Sequence, residues 1–484
     1  MATAVVKSQS LLQRFADARA QTDALLATVR PEAYYDRPIP ERHRIIFYVG
    51  HLEAFDWNLL GRRLFDLAPV APTFDQLFSF GIDPVDGGLP TDTPKDWPAH
   101  GAIMRYNRTV REMLDKHLDG RLNAAAGVSQ SSPAGGWGQA GESSESSESS
   151  GSGESDARRR KIAQMLHVAI EHRLMHAETL SYMLHQLPID RKFPQEGLMA
   201  PAAPPAKAHM VEIPAGMATL GLGRHADDGS LAASLADDEL FGWDNEFAAH
   251  RVEVPKFRID AHNVTNDEFL RFLNEGGYRD RRLWSDADWE WLQSSGTTHP
   301  GFWMKRESAG RNNWKYRGMF EEPPLPLGWP AYVSHAEAAA YARWAGKELP
   351  SEAEWHRAAM GTPSDRERDF PWGDEAPDAC RGNFDFARWD PTPAGAFPGG
   401  ASAFGVHDLV GNGWEWTRTR FAPFEGFEPF PFYPGYSANF FDDKHYVMKG
   451  GSARTAACML RRSFRNWFQP HYPFVYASFR CVKH

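Results

Sequence analysis

Apolar residues recur at helical spacing through the first part of the chain. In the first such segment Leu11, Phe15 and Leu25 fall on one face. Three further segments have the same character: residues 45–67, 100–118 and 158–187. Four amphipathic segments of this length predict an up-and-down four-helix bundle.

A polar stretch separates the third segment from the fourth. Residues 135–156 consist mostly of Ser, Gly and Glu, which have little apolar surface to bury. We therefore expect a disordered insertion over about 128–157, placed as a long loop on the bundle. A linker between two domains is the alternative reading, and it is weaker because the fourth helix is needed to close the core.

The pattern changes after a Pro/Ala-rich hinge at residues 201–208. Beyond the hinge, helical spacing is clear only at 266–273 and 336–344, and short β-prone runs lie between Gly, Pro and Trp residues. This composition predicts one large, irregular α+β domain. The expected domains are residues 1–198 and 199–484.

Composition and charge exclude several classes of protein. The net charge of −10 over 484 residues argues against a general nucleic-acid binder. No apolar run approaches the roughly 20 residues that span a bilayer, and the N-terminal residues make a poor secretory signal. Three cysteines are too few for a disulfide framework, so we expect a cytoplasmic protein. The 17 tryptophans predict a loop-rich fold with many buried indoles.

Three histidines form a candidate metal site. His172 and His176 are one helical turn apart on the fourth segment, and His51 lies among apolar residues of the second. A helix can carry such a pair by chance, as solvated or capped side chains. A third imidazole from a facing helix would complete a set that leaves coordination positions open. Nitrogen ligands alone suit zinc, copper or non-heme iron.

The second half of the chain resembles the formylglycine-generating-enzyme (sulfatase-modifying factor) fold, which is a C-type-lectin-like domain. The matching strings are DAHNVTNDEFLRFL, GKELPSEAEWHRAA, FPWGD, GNGWEWT, MKGGS and ASFRCV. The resemblance covers nearly the whole second half. It implies that most tryptophans, including Trp355, Trp414 and Trp416, pack the long loops of this fold.

A DinB-like helical bundle followed by this domain resembles the ergothioneine-type sulfoxide synthases and the similar selenoneine synthases. The resemblance implies that His51, His172 and His176 bind iron(II). It also makes Glu178 an acidic partner that orients one of the imidazoles.

The same resemblance assigns residues to the organic substrate, hercynine (trimethylhistidine). Asn466 and Trp467 match residues that contact it, and an indole face suits a quaternary ammonium. A buried structural indole is the alternative for Trp467. Tyr433 and Tyr436 resemble the active-site tyrosines, one of which donates a proton during O2 activation, and Tyr433 is the preferred candidate.

Departures from the family patterns bear on the second substrate. Formylglycine formation needs paired cysteines, and the corresponding segment has only Cys458. Synthases that use γ-glutamylcysteine bind it through arginines and through an aspartate directly after an RNW tripeptide. Here that position is Phe468, and residues 72–98 contain no arginine. A dianionic dipeptide needs cationic partners.

A neutral polyol donor suits acidic and aromatic side chains better. The candidates to bind its hydroxyl groups and ring faces are Asp83, Asp86, Asp92 and Trp97. Each aspartate can also be a solvated turn residue.

The sequence therefore predicts an iron(II)- and O2-dependent selenoneine synthase that joins a selenosugar to C2 of hercynine. The first alternative is a sulfoxide synthase that joins hercynine to cysteine or γ-glutamylcysteine. A second alternative, of another class, is a non-catalytic metal- or ligand-binding module. The expected partners are small molecules, without nucleic acid or membrane, and the donor and the oligomeric state are left open.

Overall fold

The computed structural model describes residues 10–79, 89–125, 148–195, 199–200, 203–223, 241–306 and 314–484. The chain divides into two compact units. The first unit comprises Met1–Ala27, Pro31–His176 and His225–Phe241. The second comprises Thr28–Arg30, Ala177–Arg224 and Gly242–His484.

The first unit is helical, as its apolar spacing predicts. Its helices are α1 (Leu11–Leu26), α2 (Ile45–Asp56), a π-helical continuation (Trp57–Leu64), α3 (Pro72–Leu77), α4 (His100–Ala125) and the part of α5 (Glu148–Gln186) that ends at His176. Ser10 begins α1 by accepting the backbone N–H of Gln13 at 3.2 Å. The short helix α3 was not predicted. Among the described residues, none of the helices is long and apolar enough to cross a membrane.

The start of α5 differs from the prediction. Residues 126–147 of the expected disordered insertion lie outside the described residues, whereas the structure has helix from Glu148. The predicted helix began at about residue 158. Extension of an existing helix fixes only one residue for each new hydrogen bond, so a packed helix can continue into a polar segment.

The second unit is rich in short strands. These are β1 (Met210–Ile213), β2 (Gly216–Leu220), β3 (His250–Val254), β4 (Phe257–Asp260), β5 (Trp303–Lys305), β6 (Trp314–Tyr316), β7 (Trp414–Arg420), β8 (Tyr446–Lys449), β9 (Asn466–Phe468), β10 (Ala477–Ser478) and β11 (Val482–Lys483). One sheet has the order β10-β7-β8-β9 and another β1-β4-β11. Two antiparallel pairs, β2–β3 and β5–β6, complete the set among the described residues.

Helices of the second unit lie between these strands. They are α6 (Asn266–Asn274), α7 (Asp286–Ser295), α8 (His335–Trp344), α9 (Glu352–Met360) and α10 (Gly435–Ala438). The spacing predicted α6 and α8 but missed α7 and α9. The start of α9 has a clear sequence signal, since Ser351 and Glu354 form a capping box. The mixture of helices and short strands confirms the α+β character of this part.

A buried carboxylate organises the core of the second unit. Glu415 on β7 is fully buried, and it pairs with Arg480 through two bonds, from Nη2 to Oε1 at 2.6 Å and from Nε to Oε2 at 2.7 Å. Asn263 Nδ2 donates to Oε1 at 2.9 Å, and Trp355 Nε1 donates to Oε2 at 2.8 Å. Glu415 therefore joins four separate segments of the chain.

We expect Glu415→Gln to lower the free energy of unfolding by about 3–5 kcal/mol, because the buried Arg480 guanidinium loses its counter-ion. Urea denaturation of the purified protein measures the change. The matched control is Glu322→Gln, whose partly exposed carboxylate lies 3.4 Å from Lys315 Nζ, and it should change stability by less than about 1 kcal/mol. Equal effects of the two substitutions would contradict the assignment.

Candidate metal centre

Two helices of the first unit carry the three histidines. His51 lies near the middle of α2, in which every residue except Phe55 is buried. His172 and His176 are one turn apart on α5, so their side chains share a face. All three imidazoles are at most 4% exposed. A buried ring nitrogen needs a partner, because an unpaired polar group away from water is costly.

The ring nitrogens of these histidines converge. His176 Nε2 lies 3.1 Å from His51 Nε2 and 3.1 Å from His172 Nε2. Imidazole nitrogens bind a zinc-like divalent ion at about 2.0–2.1 Å, so two such nitrogens at a right angle about it are about 3 Å apart. The spacing fits one divalent cation. Within the described part of the chain, no other group of three His, Cys, Asp or Glu ligand atoms is as close.

A backbone carbonyl sets the orientation of the His51 ring. His51 Nδ1 lies 2.7 Å from Phe78 O, so Nδ1 donates its proton there and the lone pair stays on Nε2. Phe47, one turn earlier on α2, stacks on the same ring. Burial lowers the pKa of His51 to about 4, although the hydrogen bond to Phe78 raises it. His51 is therefore a neutral ligand near pH 7.

Aromatic rings enclose the two histidines of α5. The rings of Phe55 and His172 stack with centroids 3.4 Å apart, and Tyr48 lies 5.8 Å from the ring of His176. Burial lowers the pKa of both histidines well below the ordinary value, and neighbouring charged groups lower it further. Neutral imidazoles can accept a cation without first losing a proton.

Glu178, predicted to orient an imidazole, makes its described hydrogen bonds to other groups. It belongs to the second unit. Its carboxylate accepts from Trp414 Nε1 at 2.7 Å, Ser452 Oγ at 2.5 Å and Thr455 Oγ1 at 2.8 Å. Burial raises the pKa of Glu178, and these three donors oppose the rise. Glu178 thus ties the last turns of α5 to β7 and to the loop after β8.

Asn466 and Trp467 lie on β9 in the second unit. The Trp467 ring stacks on Phe421, with centroids 4.2 Å apart and planes 7° apart. Asn466 Oδ1 accepts the backbone N–H of Trp467 at 2.8 Å. Both residues are only partly buried. Their predicted contact with a substrate stays a prediction.

The two candidate tyrosines belong to the same aromatic group as Trp467. Tyr436 stacks on Trp243 with centroids 3.9 Å apart, and its ring meets that of Trp467 edge-on at 5.5 Å. The ring of Tyr433 lies 5.5 Å from that of Tyr436. Within the second unit, Tyr436 is therefore in ring contact with Trp467, and Tyr433 lies next to Tyr436.

Phe468 lies in a second aromatic group. Its ring stacks on Tyr472 at 5.4 Å and meets Tyr182 edge-on at 6.4 Å. All three residues belong to the second unit. An aromatic surface thus occupies the position where the sequence pattern of γ-glutamylcysteine-dependent synthases has a carboxylate.

Comparison with known proteins identifies the family. Residues 195–484 match the sulfatase-modifying factor enzyme 1-like domain. A hercynine oxygenase of Mycolicibacterium smegmatis is 36% identical over 324 residues, which cover 65% of this chain and 70% of that protein. The chain belongs to the hercynine oxygenase family. This confirms the resemblance to the ergothioneine-type sulfoxide synthases.

Other members of this family and its neighbours show the same similarity. The hercynine oxygenase of Mycolicibacterium thermoresistibile is 42% identical over 259 residues, covering 52% of this chain and 56% of that protein. Ergothioneine biosynthesis protein 1 of Neurospora crassa is 28% identical over 525 residues, covering 93% of this chain and 55% of that protein. The chain therefore spans a little more than half the length of these two relatives.

The first unit of this hercynine oxygenase family member also contains a charged cluster that the sequence did not reveal. Asp92 accepts hydrogen bonds from Arg44 Nε at 3.0 Å, from Trp97 Nε1 at 2.7 Å and from Arg37. The predicted role of Asp92 as an acceptor for a polyol is therefore corrected, because its carboxylate is already paired. The two other aspartates of that prediction, Asp83 and Asp86, lie outside the described residues.

The arginines of this cluster were missed for a simple reason. Arg37 and Arg44 precede α2, whereas the segment predicted to bind the donor, residues 72–98, follows it. They are seven positions apart in the chain, and in a loop this spacing does not predict that two side chains lie close together. Only the fold shows that both meet Asp92.

Gly50, next to His51, has no side chain, and the ring of Phe78 occupies the space beside it. A methyl group at Gly50 would lie 2.5 Å from the ring of Phe78. We expect Gly50→Ala to displace Phe78 together with the carbonyl that orients His51. Loss of such a partner weakens metal binding by roughly 10- to 100-fold. Anaerobic titration with cobalt(II) measures the change.

The control for this prediction is Gly101→Ala in α4. There the new methyl group meets only Arg105 Nη1, at 3.8 Å. This substitution should leave metal affinity unchanged, and alanine is the better helix former. Unchanged affinity in both variants would show that Phe78 does not orient His51.

Proposed function

We propose that this chain is an iron(II)- and O2-dependent oxygenase that joins a chalcogen donor to C2 of the hercynine imidazole. The observation that carries the proposal is the convergence of three buried, neutral imidazoles in a member of the hercynine oxygenase family. Three nitrogen ligands leave further positions of an octahedral ion open. In this proposal the N-terminal helices form a DinB-like four-helix bundle, and the C-terminal domain is lectin-like.

His51, His172 and His176 would hold the iron. When bound, iron(II) supplies the redox-active position at which O2 is reduced. Forming the new bond replaces the C2–H bond of hercynine and the Se–H or S–H bond of the donor. The two electrons and two protons released in that replacement reduce one oxygen atom of O2 to water, and the other oxygen atom is transferred to the newly bonded selenium or sulfur to give its oxide.

The aromatic group of the second unit is the proposed binding surface for hercynine. The ring faces of Trp467 and Tyr436 are electron-rich and attract a trimethylammonium group. The amide of Asn466 can pair with the carboxylate or an imidazole nitrogen of hercynine. Tyr433 or Tyr436 supplies a proton as a general acid.

We propose a selenosugar as the donor, which makes the product a precursor of selenoneine. One observation supports an uncharged donor. Phe468 lies in an aromatic group with Tyr472, and aromatic faces suit a sugar ring.

A thiol donor, cysteine or γ-glutamylcysteine, is the second candidate. The similar proteins favour it, since they are named for hercynine and for ergothioneine biosynthesis. The reaction at C2 would be the same, with a C–S bond in place of the C–Se bond. The two candidates differ only in the donor.

Donor competition separates the two candidates. The iron-loaded protein is incubated under air with hercynine and equal concentrations of a selenosugar, cysteine and γ-glutamylcysteine. We expect mass spectrometry to show at least about tenfold preference for the selenosugar, which corresponds to about 1.4 kcal/mol. Preference for either thiol would overturn the selenosugar proposal and support the second candidate.

We expect His172→Ala to abolish stoichiometric iron binding and turnover, because two imidazoles leave the ion with too few protein ligands. Metal analysis and the spectrum of the iron(II)–nitrosyl complex measure this directly. The control is His117→Ala in α4, whose Nδ1 lies 2.7 Å from Met113 O. Full turnover in His172→Ala would contradict the assignment of His172 as a metal ligand. No turnover in any variant, including the native chain, would favour a non-catalytic binding module.

A further inference from the structure

A buried ion-pair cluster in the first unit takes no part in the proposed chemistry. Arg173 on α5 is 1% exposed and directs its guanidinium at α2. Its Nη1 donates to Glu53 Oε1 at 3.0 Å. Its Nη2 donates to Leu52 O at 3.1 Å and to the carboxylate of Asp56. One side chain of α5 is therefore tied to three positions along α2.

The cluster extends to α4 and α1. Arg111 on α4 donates to Glu53 Oε1 from Nε at 3.0 Å and from Nη2 at 2.6 Å. Its two Nη atoms also donate to the carboxylate of Asp23 on α1, at 2.6 and 2.8 Å. Glu53 Oε1 is thus the shared acceptor of two arginines from two helices.

The cluster lies beside the three imidazoles on the same two helices. Arg173 directly follows His172, and Glu53 comes two residues after His51. Because α2 supplies one imidazole and α5 supplies two, the 3.1 Å between His51 Nε2 and His176 Nε2 depends on the position of α2 along α5. If α2 shifted along α5 by one residue, each of its side chains would move by about 1.5 Å. Metal–ligand distances tolerate only about 0.2 Å.

Apolar packing alone does not define the position of α2 along α5 well. Every residue of α2 except Phe55 is buried, so the helix is enclosed on nearly all sides. Apolar attraction has no direction. A guanidinium has fixed donor directions and therefore selects one register. Buried ion pairs contribute little to stability on balance, and fixing a register is their best-attested role.

We propose that Arg173 is a positioning residue of the metal centre. By pairing with Glu53 and Asp56 it fixes the register of α2 against α5, and so the distance from His51 to the two histidines of α5. The inference rests on the proposed function, because it takes the three histidines as metal ligands. Arg173 acts through the two helices and through no bond to the metal.

The experiment uses cobalt(II) alone as the probe, added anaerobically to the full chain. We expect Arg173→Met to weaken cobalt(II) binding by about 10- to 100-fold and to alter its visible absorption spectrum. Far-ultraviolet circular dichroism should show unchanged helix content. Arg173→Lys keeps the charge but lacks the planar fork, so its affinity should fall between those of the native chain and Arg173→Met.

The control is Arg37→Met. Arg37 also lies in the first unit, and its guanidinium pairs with Asp92, outside the cluster around Arg173. We expect the loss of this pair to leave cobalt(II) affinity and spectrum unchanged. Equal losses in Arg37→Met and Arg173→Met would overturn the inference, because the effect would then be general destabilisation.

The remaining outcomes separate this inference from the proposed function. Native affinity and spectrum in Arg173→Met overturn the inference and leave the proposed function intact. No cobalt(II) binding by the native chain overturns the proposed metal site itself. If Arg173→Met does not fold, the triple variant with Glu53→Gln and Asp56→Asn takes its place, since it removes every charge that Arg173 pairs with in α2. The same loss of affinity is expected from it.

Discussion

The first unit depends on the requirement that buried polar groups be paired. Its helices bury three imidazoles and two arginines where water cannot solvate them. These arginines are Arg19, which pairs with Asp115, and Arg173, which pairs with Glu53. Among the described residues, the three converging Nε2 atoms lie against one another. Neutral imidazoles whose lone pairs face each other repel unless a cation or a proton lies between them. The same burial that keeps these rings neutral therefore makes a divalent metal their natural partner.

The second unit applies the same requirement to an irregular backbone. Short strands and long loops leave many polar groups that regular structure would pair. Buried carboxylates pair with several of the buried polar side chains. Glu415 pairs with Arg480, Glu352 pairs with Arg465, and Glu178 accepts from Trp414. Each of these carboxylates joins segments that are distant in sequence. Two buried indoles direct their N–H groups at these carboxylates, Trp355 at Glu415 and Trp414 at Glu178.

Prediction from the sequence succeeded where the signal is local and periodic. The helix around His51 and the pair of histidines on α5 follow from apolar spacing and from the i, i+4 rule. Helix α9 was missed because its apolar stripe is short, although its capping box was visible. The partners of Asp92 could not be predicted, because Arg37 and Arg44 reach it from an earlier segment through loops that have no periodicity.

The sequence by itself determined the helical first part, the α+β second part and the resemblance to the family, and it marked the three histidines as a candidate metal site. These follow from composition, periodicity and motif strings, which are properties of neighbouring residues. Only the tertiary structure decided that His51 meets His172 and His176 within bonding distance of one cation, that Glu178 pairs with hydroxyl and indole groups, and that Asp92 is neutralised by arginines. Such pairings depend on which distant segments share a buried space, and local spacing does not encode that.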